Sequence, residues 1–249
     1  MTAHRIALIS DIHGNELALR KVIADARRLG TDQIACLGDV ATLGPRPREV
    51  LAIVREACDV FILGNHDEYL FDPRSISRHT SSPIVVGAIE ECRQRLSRAE
   101  LDFVKSFSRS VRIGADGDDG LLLFHGSPNS NDCDLLAETP DPDLARQLEG
   151  HTAAVMAGGH THVQMLRQHR GQLLLNPGSV GLPFERFVAG GPPKVLAHAE
   201  YAIVEFRDGQ VGVELRRLPL ERSLLAEAAR AWSGPMAAYL AAQYASTSA

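Results

Sequence analysis

The sequence predicts an α/β chain built on two β-sheets, and three observations predict it. Short, almost wholly apolar runs alternate with helical segments over roughly the first 65 residues, the grammar of βαβ units and a mainly parallel sheet. From Leu121 onward the apolar runs follow one another with hairpin turns between them, which implies a second, more antiparallel sheet. The chain has 249 residues, 45% of them hydrophobic. At this size roughly 72% of the unfolded surface is buried on folding, so a large core forms without staples.

Taken in order, Arg5–Ser10 (RIALIS) is the first strand. Glu16–Leu29 places Leu17, Leu19, Val22, Ile23, Ala26 and Leu29 near helical spacing. Gln33–Leu37 is the second strand, Arg48–Ala57 the next helix and Val60–Leu63 the third strand. Strands this short and apolar suit a sheet covered on both faces. Glu68–Ser110 is mostly helical, interrupted at Pro73 and at the Ser/Thr-rich Thr80–Ser82. Leu121–Phe124, Ala153–Ala157, Val163–Gln168, Gln172–Leu175, Tyr201–Phe206 and Gln210–Arg216 read as strands, with Arg170–Gly171 and Asp208–Gly209 as hairpin turns. Pro183–Pro193 is a Gly/Pro loop, Glu221–Tyr244 an alanine-rich helix, and Ser246–Ala249 a frayed end. No repeat or linker divides the chain. Residues 1–249 therefore read as one domain, with 68–110 a helical insertion or lid and 221–249 a C-terminal helical segment.

Composition narrows the function. With 26 basic against 31 acidic residues the net charge is −5, which argues against a general nucleic-acid surface. Charged residues make up 23% of the chain, an ordinary globular share. Cys36, Cys58, Cys92 and Cys133 form no CxxC pair, so neither a zinc knuckle nor a disulfide framework is expected. No apolar run approaches the ~18 residues of a membrane span. The stretch before the first motif is too short for a signal peptide. A reducing, cytoplasmic setting is expected.

Five polar motifs follow hydrophobic runs: Asp11-Ile12-His13, Gly38-Asp39, Gly64-Asn65-His66-Asp67, His125-Gly126 and Gly159-His160-Thr161-His162. Polar residues at the carboxyl ends of strands are where α/β sheets bind ligands. Asp11, His13, Asp39, Asn65, His125, His160 and His162 are metal-ligand candidates. Residues i and i+2 of an extended chain point the same way, so Asp11/His13 and His160/His162 can each offer a pair of ligands to one cleft. Seven ligands suit two metals rather than one. Mixed imidazole and carboxylate donors suit Mn, Fe, Ni or Zn. Two divalent ions against two aspartates and one hydroxide leave a small net positive charge, which attracts an anion such as phosphate. Two metals about 3.5–4 Å apart can supply hydroxide and clamp the oxygens of an in-line displacement.

The motifs SDIHGN, GDV, GNHDE, FHGSP, GGHTH and NPGSVG carry a resemblance to the calcineurin-like metallophosphoesterases over about Arg5 to Ser179, closest to the small bacterial and archaeal phosphodiesterases. The resemblance implies a four-layer α-β-β-α sandwich of two mixed sheets flanked by helices. It implies two divalent transition metal ions (Mn2+, Fe2+ or Fe3+, Ni2+ or Zn2+). Asp11, His13 and His162 would hold the first ion, Asn65, His125 and His160 the second, and Asp39 would bridge them. His66 resembles the histidine beside the substrate phosphate that assists the leaving group. The expected activity is hydrolysis of a small phosphoester, nucleotide-like substrates included, with a phosphodiester preferred. A phosphomonoesterase or protein phosphatase, and a non-catalytic scaffold on the same fold, are the alternatives. An oligomer is compatible with the alanine-rich C-terminus.

The diester preference rests on charge. The residues beside the motifs are Ile12, Gly14, Val40, Asp67, Gly126 and Thr161, none of them basic. Arg46, Arg48, Arg74 and Arg78 are the nearest arginines in sequence, and folding could bring Arg186 or another distant arginine close. Asn15 reads as the N-cap of the first helix rather than a phosphate contact. Asp67 either orients His66 or is a solvated loop acid. Arg74, Arg78 and His79 read as solvated surface rather than a substrate lid. Asn176-Pro177-Gly178-Ser179 reads as a structural turn near the metals. Cys36 and Cys133 read as core or loop residues.

Overall fold

The computed structural model describes residues 4–114 and 120–245, with Arg78 and His79 by their backbone alone. The frayed end expected at Ser246–Ala249 lies outside the described residues. The first sheet has the order β10-β9-β1-β2-β3. It is formed by β1 (His4–Ile9), β2 (Gln33–Cys36), β3 (Val60–Phe61), β9 (His198–Arg207) and β10 (Gln210–Pro219). The second has the order β4-β5-β6-β8-β7. It is formed by β4 (Val111–Ile113), β5 (Leu121–Leu123), β6 (Val155–Ala157), β7 (Met165–His169) and β8 (Gln172–Asn176).

Both sheets are mixed. β1, β2 and β3 are parallel, with β9 antiparallel to β1. β5, β6 and β8 are parallel, with β4 and β7 antiparallel at the edges. The strands bury both faces, as their apolar sequences require. Ala7 and Ile9 of β1 pack toward α1 (Glu16–Arg28) and α2 (Pro47–Ala57), while Ile6 and Leu8 enter the core between the sheets. The outer face of the second sheet is covered by α7 (Asp141–Gln147) through Leu144, with Leu122, Phe124 and Met156. The layers are thus helix, sheet, sheet, helix.

Two expectations about the second half are corrected. Its central strands are parallel, and its last hairpin, β9–β10, leaves that sheet to pair with β1. Pairing partners depend on which apolar faces must be covered, which periodicity does not reveal. β9 sends Ala199, Tyr201 and Ile203 to one core and Ala202 and Val204 to the other, which suits a strand inside a doubly covered sheet. The hairpin turns are where the sequence places them. Arg170 and Gly171 have φ 51 and 81, and Asp208 and Gly209 have φ 49 and 75, the paired positive values of a two-residue loop.

Residues 68–110 are helical apart from short breaks. This segment comprises the end of α3 (Asn65–Tyr69), a 3-10 turn at Pro73–Ser75, α4 (Ile76–His79), α5 (Pro83–Arg95) and α6 (Arg98–Lys105). The C-terminal segment is two helices, α8 (Arg222–Ala231) and α9 (Ala237–Ala245), because Gly234-Pro235 interrupts it. α5, α8 and α9 share a core with Leu43, on the loop after Asp39, and with Leu182, whose carbonyl meets His162 Nδ1. Sequence reading missed α7 and β4. α7 begins with a proline and two acids in its first turn, an N-terminal signal that was there to be read. Among the described residues, no helix is long and apolar enough to cross a membrane.

Candidate metal centre

The five motifs leave the carboxyl ends of β1, β2, β3, β5 and β6 and meet at one end of the sandwich. Backbone hydrogen bonds stitch their loops together: Asp11 N–H donates to Gly38 O at 3.0 Å, His13 N–H to Asp39 O at 3.0 Å, and Gly159 N–H to His125 O at 2.8 Å. Among the described residues, eight non-glycine residues have positive φ, and five of them are ligand candidates: Asp11, His13, Asp39, His160 and His162. Such backbone persists where the surroundings over-determine it, and it gathers at functional sites. This corrects the extended geometry expected for Asp-x-His and His-x-His. Each pair converges from left-handed turns beyond the strand end, with φ of 54 and 45 in the first pair and 70 and 58 in the second.

Close approach explains two of the glycines. A Cβ on Gly64 would sit 2.0 Å from Asp39 Oδ1, and one on Gly159 would sit 1.9 Å from Ser10 Oγ. Gly64 itself has an ordinary φ of −78, so space for Asp39, rather than turn freedom, requires glycine there.

All seven candidate ligands come together. Asp11, His13, Asp39, Asn65, His125 and His162 are buried, and His160 is half-buried. Asp11 Oδ1 lies 3.3 Å from His162 Nε2, 4.0 Å from His13 Nε2 and 3.9 Å from His125 Nε2. Asp39 Oδ2 lies 3.7 Å from His13 Nε2 and 3.4 Å from His125 Nε2. Asn65 Oδ1 is 3.1 Å from His125 Nε2 and 3.0 Å from His160 Nδ1. Two overlapping groups could each hold an ion, Asp11/His13/His162 and Asp11/Asp39/His125. Both carboxylates therefore face both halves of the cluster.

The donor set fits metal ions. His13 Nε2 and His162 Nε2 face each other at 3.1 Å, the separation of neighbouring ligands about 2.1 Å from a shared ion. The buried Asp11 Oδ1 has no hydrogen-bond partner. His125 Nδ1 and His162 Nδ1 lie 2.6 and 2.7 Å from the carbonyls of Leu37 and Leu182, which holds their protons there and turns the Nε2 lone pairs to the centre. His160 is reversed. Its Nε2 lies 3.3 Å from Asp134 Oδ1, so Nδ1 faces Asn65. The Asn65 amide nitrogen donates to Tyr69 Oη at 3.1 Å, aiming its oxygen at the imidazoles.

The electrostatics favour a cation. Burial pushes the Asp11 carboxyl up, but the His162 and His125 imidazoles outweigh it and hold it at about 2. Asp39 is likewise held well below the usual range by His125, His66 and His13 against the effect of burial. Burial and the neighbouring His162 lower His13 to about 4, which keeps it neutral and able to ligate. Burial would lower His125 too, but Asp39 and Asp11 overcome this and raise it to about 10, so a proton and a metal ion compete for its Nε2.

The supporting residues differ from expectation. Asp67 neither orients His66 nor meets solvent. It is fully buried and accepts the backbone N–H groups of Asp39, Val40 and Gly64 at 2.7, 3.0 and 3.1 Å. Burial, and then Asp39, push its carboxyl up to about 7. Thr42 Oγ1 instead contacts His66 Nδ1 at 3.0 Å. Sequence reading missed Thr42, Asp134 and Phe184, whose ring stacks on His162 at 4.2 Å. No motif marks any of the three. Asn15 caps α1 through a bond from Ala18 N–H. Asn176 donates to Gly159 O and Thr161 Oγ1, and Ser179 Oγ donates to Asp11 O, so that turn is structural. Arg46 pairs with Glu49 and Arg48 with Glu100; Arg74 and Arg186 are exposed. The side chains of Arg78 and His79 lie outside the described residues. Among the described residues, no arginine or lysine pairs with Asp11, Asp39 or Asn65.

Residues 5–208 match the family model described as the calcineurin-like phosphoesterase superfamily domain. The chain belongs to that superfamily. Among solved structures, this superfamily member is similar to a metallophosphoesterase from Sphaerobacter thermophilus, with TM-score 0.72 and 26% identity over 97% of this chain and 98% of that one. A hypothetical protein of Pyrococcus horikoshii OT3 shares the fold, with TM-score 0.68 and 16% identity over 88% and 90% of the two chains. An uncharacterized protein of Methanocaldococcus jannaschii is 25% identical over 86% of this chain and 87% of its own length.

Proposed function

We propose that this phosphoesterase is a two-metal phosphodiesterase acting on small phosphate esters. The observation that carries the reading is the donor set: seven converging candidate donors, only two of them carboxylates, with no basic side chain paired to the carboxylates or to Asn65 among the described residues. Asp11, His13 and His162 would hold one ion, Asn65, His125 and His160 the other, and Asp39 would lie between them. Divalent ions held there would supply Lewis acidity and an acidified water for in-line displacement at phosphorus. The chain supplies the rest. The carbonyls of Leu37 and Leu182 fix the ligating nitrogens of His125 and His162. His66 stands against His13, ring centroids 5.2 Å apart, and hydrogen-bonds the departing oxygen as charge develops on it. A monoester dianion commonly needs extra cationic side chains; a diester monoanion matches a weakly positive site. The chain acts as one domain, with 68–110 as its helical insertion.

The test is kcat/KM for bis-p-nitrophenyl phosphate against p-nitrophenyl phosphate, with Mn2+, Fe2+, Ni2+ and Zn2+ in turn, together with metal content per chain. Two ions and a diester preference are expected. Fewer than two ions after reconstitution, or a monoester preference across the metals, overturns the reading.

A further inference from the structure

We propose that the open edge of β10 pairs with β10 of a second copy of this chain, antiparallel about Leu215, and so joins the two first sheets into one continuous sheet. The inference uses no residue of the metal centre and does not rest on the phosphodiesterase reading.

β10 is the outermost strand of the first sheet, paired one to one with β9 over Gln210–Pro219 and open on its other side. One step beyond that register, the Leu220 N–H donates to Ala197 O. By the alternation of an antiparallel ladder, the even-numbered residues of β10 therefore bond to β9. Val211, Val213, Leu215 and Arg217 turn their N–H and C=O groups outward. The side chains that reach this strand from elsewhere go to other carbonyls, Gln164 to Arg216 O and Lys21 to Pro219 O. A long uncovered edge is a template for a further strand, and proteins ordinarily blunt it with proline, lysine or a bulge. Between Gln210 and Leu218 none of these interrupts the strand.

The apolar surface lies at the same edge. Six large apolar side chains are exposed among the described residues, and three of them border it: Val211 at 36%, Leu215 at 38% and Leu166 at 48%. Val211 and Leu215 share a face of β10 with Val213, which packs against the core between the sheets. Leu166 of β7 pairs with Leu175 of that same core. Gln164, just before β7, holds that strand beside β10 through Arg216 O. The core between the sheets is thus left open along one side.

The charges select a second copy as the occupant. On the opposite face of β10, Glu214 and Arg216 flank Leu215. Arg216 is held by Asp25 and by Glu214 of its own strand, and the Glu214 side chain remains 47% exposed. A two-fold axis between two Leu215 residues sets each Glu214 against the second copy's Arg216, and each Leu218 against the second copy's bare Gly212. Opposite charges facing across a strand pair are favourable, and like charges directly opposite are destabilising. Moving the axis one residue either way opposes Glu214 to Glu214 or Arg216 to Arg216. Centring it on Val213 gives up both charge pairs. The edge is complementary to itself in one register.

The test is the mass of the full chain in solution by analytical ultracentrifugation, where the wild type is expected to be a concentration-dependent dimer. Glu214→Arg sets arginine against arginine and should raise the dimer dissociation constant at least about tenfold. Leu215→Cys and Val213→Cys, each with Cys133→Ser to remove the one cysteine that is not buried, report the register on oxidation. Opposed residues of a hydrogen-bonded pair have Cα atoms about 5.5 Å apart, within disulfide reach. Leu215→Cys should cross-link into a covalent dimer and Val213→Cys should not. A monomeric wild type, a Glu214→Arg protein that dimerises as tightly as the wild type, or cross-linking by Val213→Cys overturns the inference.

Discussion

Asp67 accepts the backbone N–H of Asp39 at 2.7 Å, while Asp39 Oδ1 accepts the backbone N–H of His66 at 2.9 Å. The two aspartates tie the loop after β2 to the start of α3 from both sides. The tie also holds Asp39 in its left-handed conformation, φ 56, with its other carboxylate oxygen facing His13 and His125.

Asp67→Asn should therefore loosen the centre without touching a ligand. An amide offers one acceptor oxygen where three N–H groups converge, and its NH2 faces donors. The expected cost is about 1–3 kcal/mol, a fall in Tm of roughly 2–12 °C, with weaker metal binding. Thermal unfolding and metal titration check it. An unchanged Tm would show that the tie is dispensable.

Asp39→Asn should cost more metal affinity than Asn65→Ala. Asp39 carries charge and faces imidazoles of both groups, whereas Asn65 is neutral and faces only His125 and His160. Titration of each variant with Zn2+ or Mn2+ decides it, and the reverse order would remove Asp39 from the shared position.

His66→Ala should keep both metals and lose turnover. Assistance at the leaving oxygen is worth roughly 10²–10⁴-fold where the leaving group is poor, and less for p-nitrophenolate. Metal content and rates over a series of leaving groups measure this. An equal loss throughout would take His66 away from the departing oxygen.

Away from the site, Asp25 joins α1 to β9 and β10. Its carboxylate accepts from Tyr201 Oη at 2.6 Å, Arg216 Nε at 2.9 Å and Arg28 Nη2 at 2.6 Å. Burial raises its pKa, but these bonds outweigh that and hold it below the ordinary value. A depressed carboxyl contributes stability that is present above its unfolded pKa, near 3.9, and lost as pH falls through the lower folded value. Asp25→Asn should cost about 1–3 kcal/mol at neutral pH, and the gap to the wild type should close below about pH 4. Urea unfolding at the two pH values tests the sign. A gap that widens in acid would contradict it.

The ligand candidates were legible because the signal is local. An apolar strand followed at once by Asp, Asn or His is readable in a few residues, and five such places stand in the chain. The same locality exposed the hairpin turns, where Arg170-Gly171 and Asp208-Gly209 need positive φ. Asn15 as a helix cap was legible for the same reason. What misled was the assumption of extended backbone through the motifs, since nothing in Asp-x-His reveals that both residues turn left-handed.

By itself, then, the sequence determined the alternation of strands and helices, the positions of the polar strand ends and the chemistry of the donors on them. Only the tertiary structure decided which strands pair, sending β9 and β10 to β1. It also decided which residues support the donors: Thr42 against His66, 24 positions away, and Asp67 under Asp39, 28 positions away. Asp134 against His160 is another such partner. The physical reason is range. Propensity, capping and turn chemistry act within a few residues, whereas pairing and hydrogen-bond partnership depend on which buried faces and polar groups the folded chain brings together.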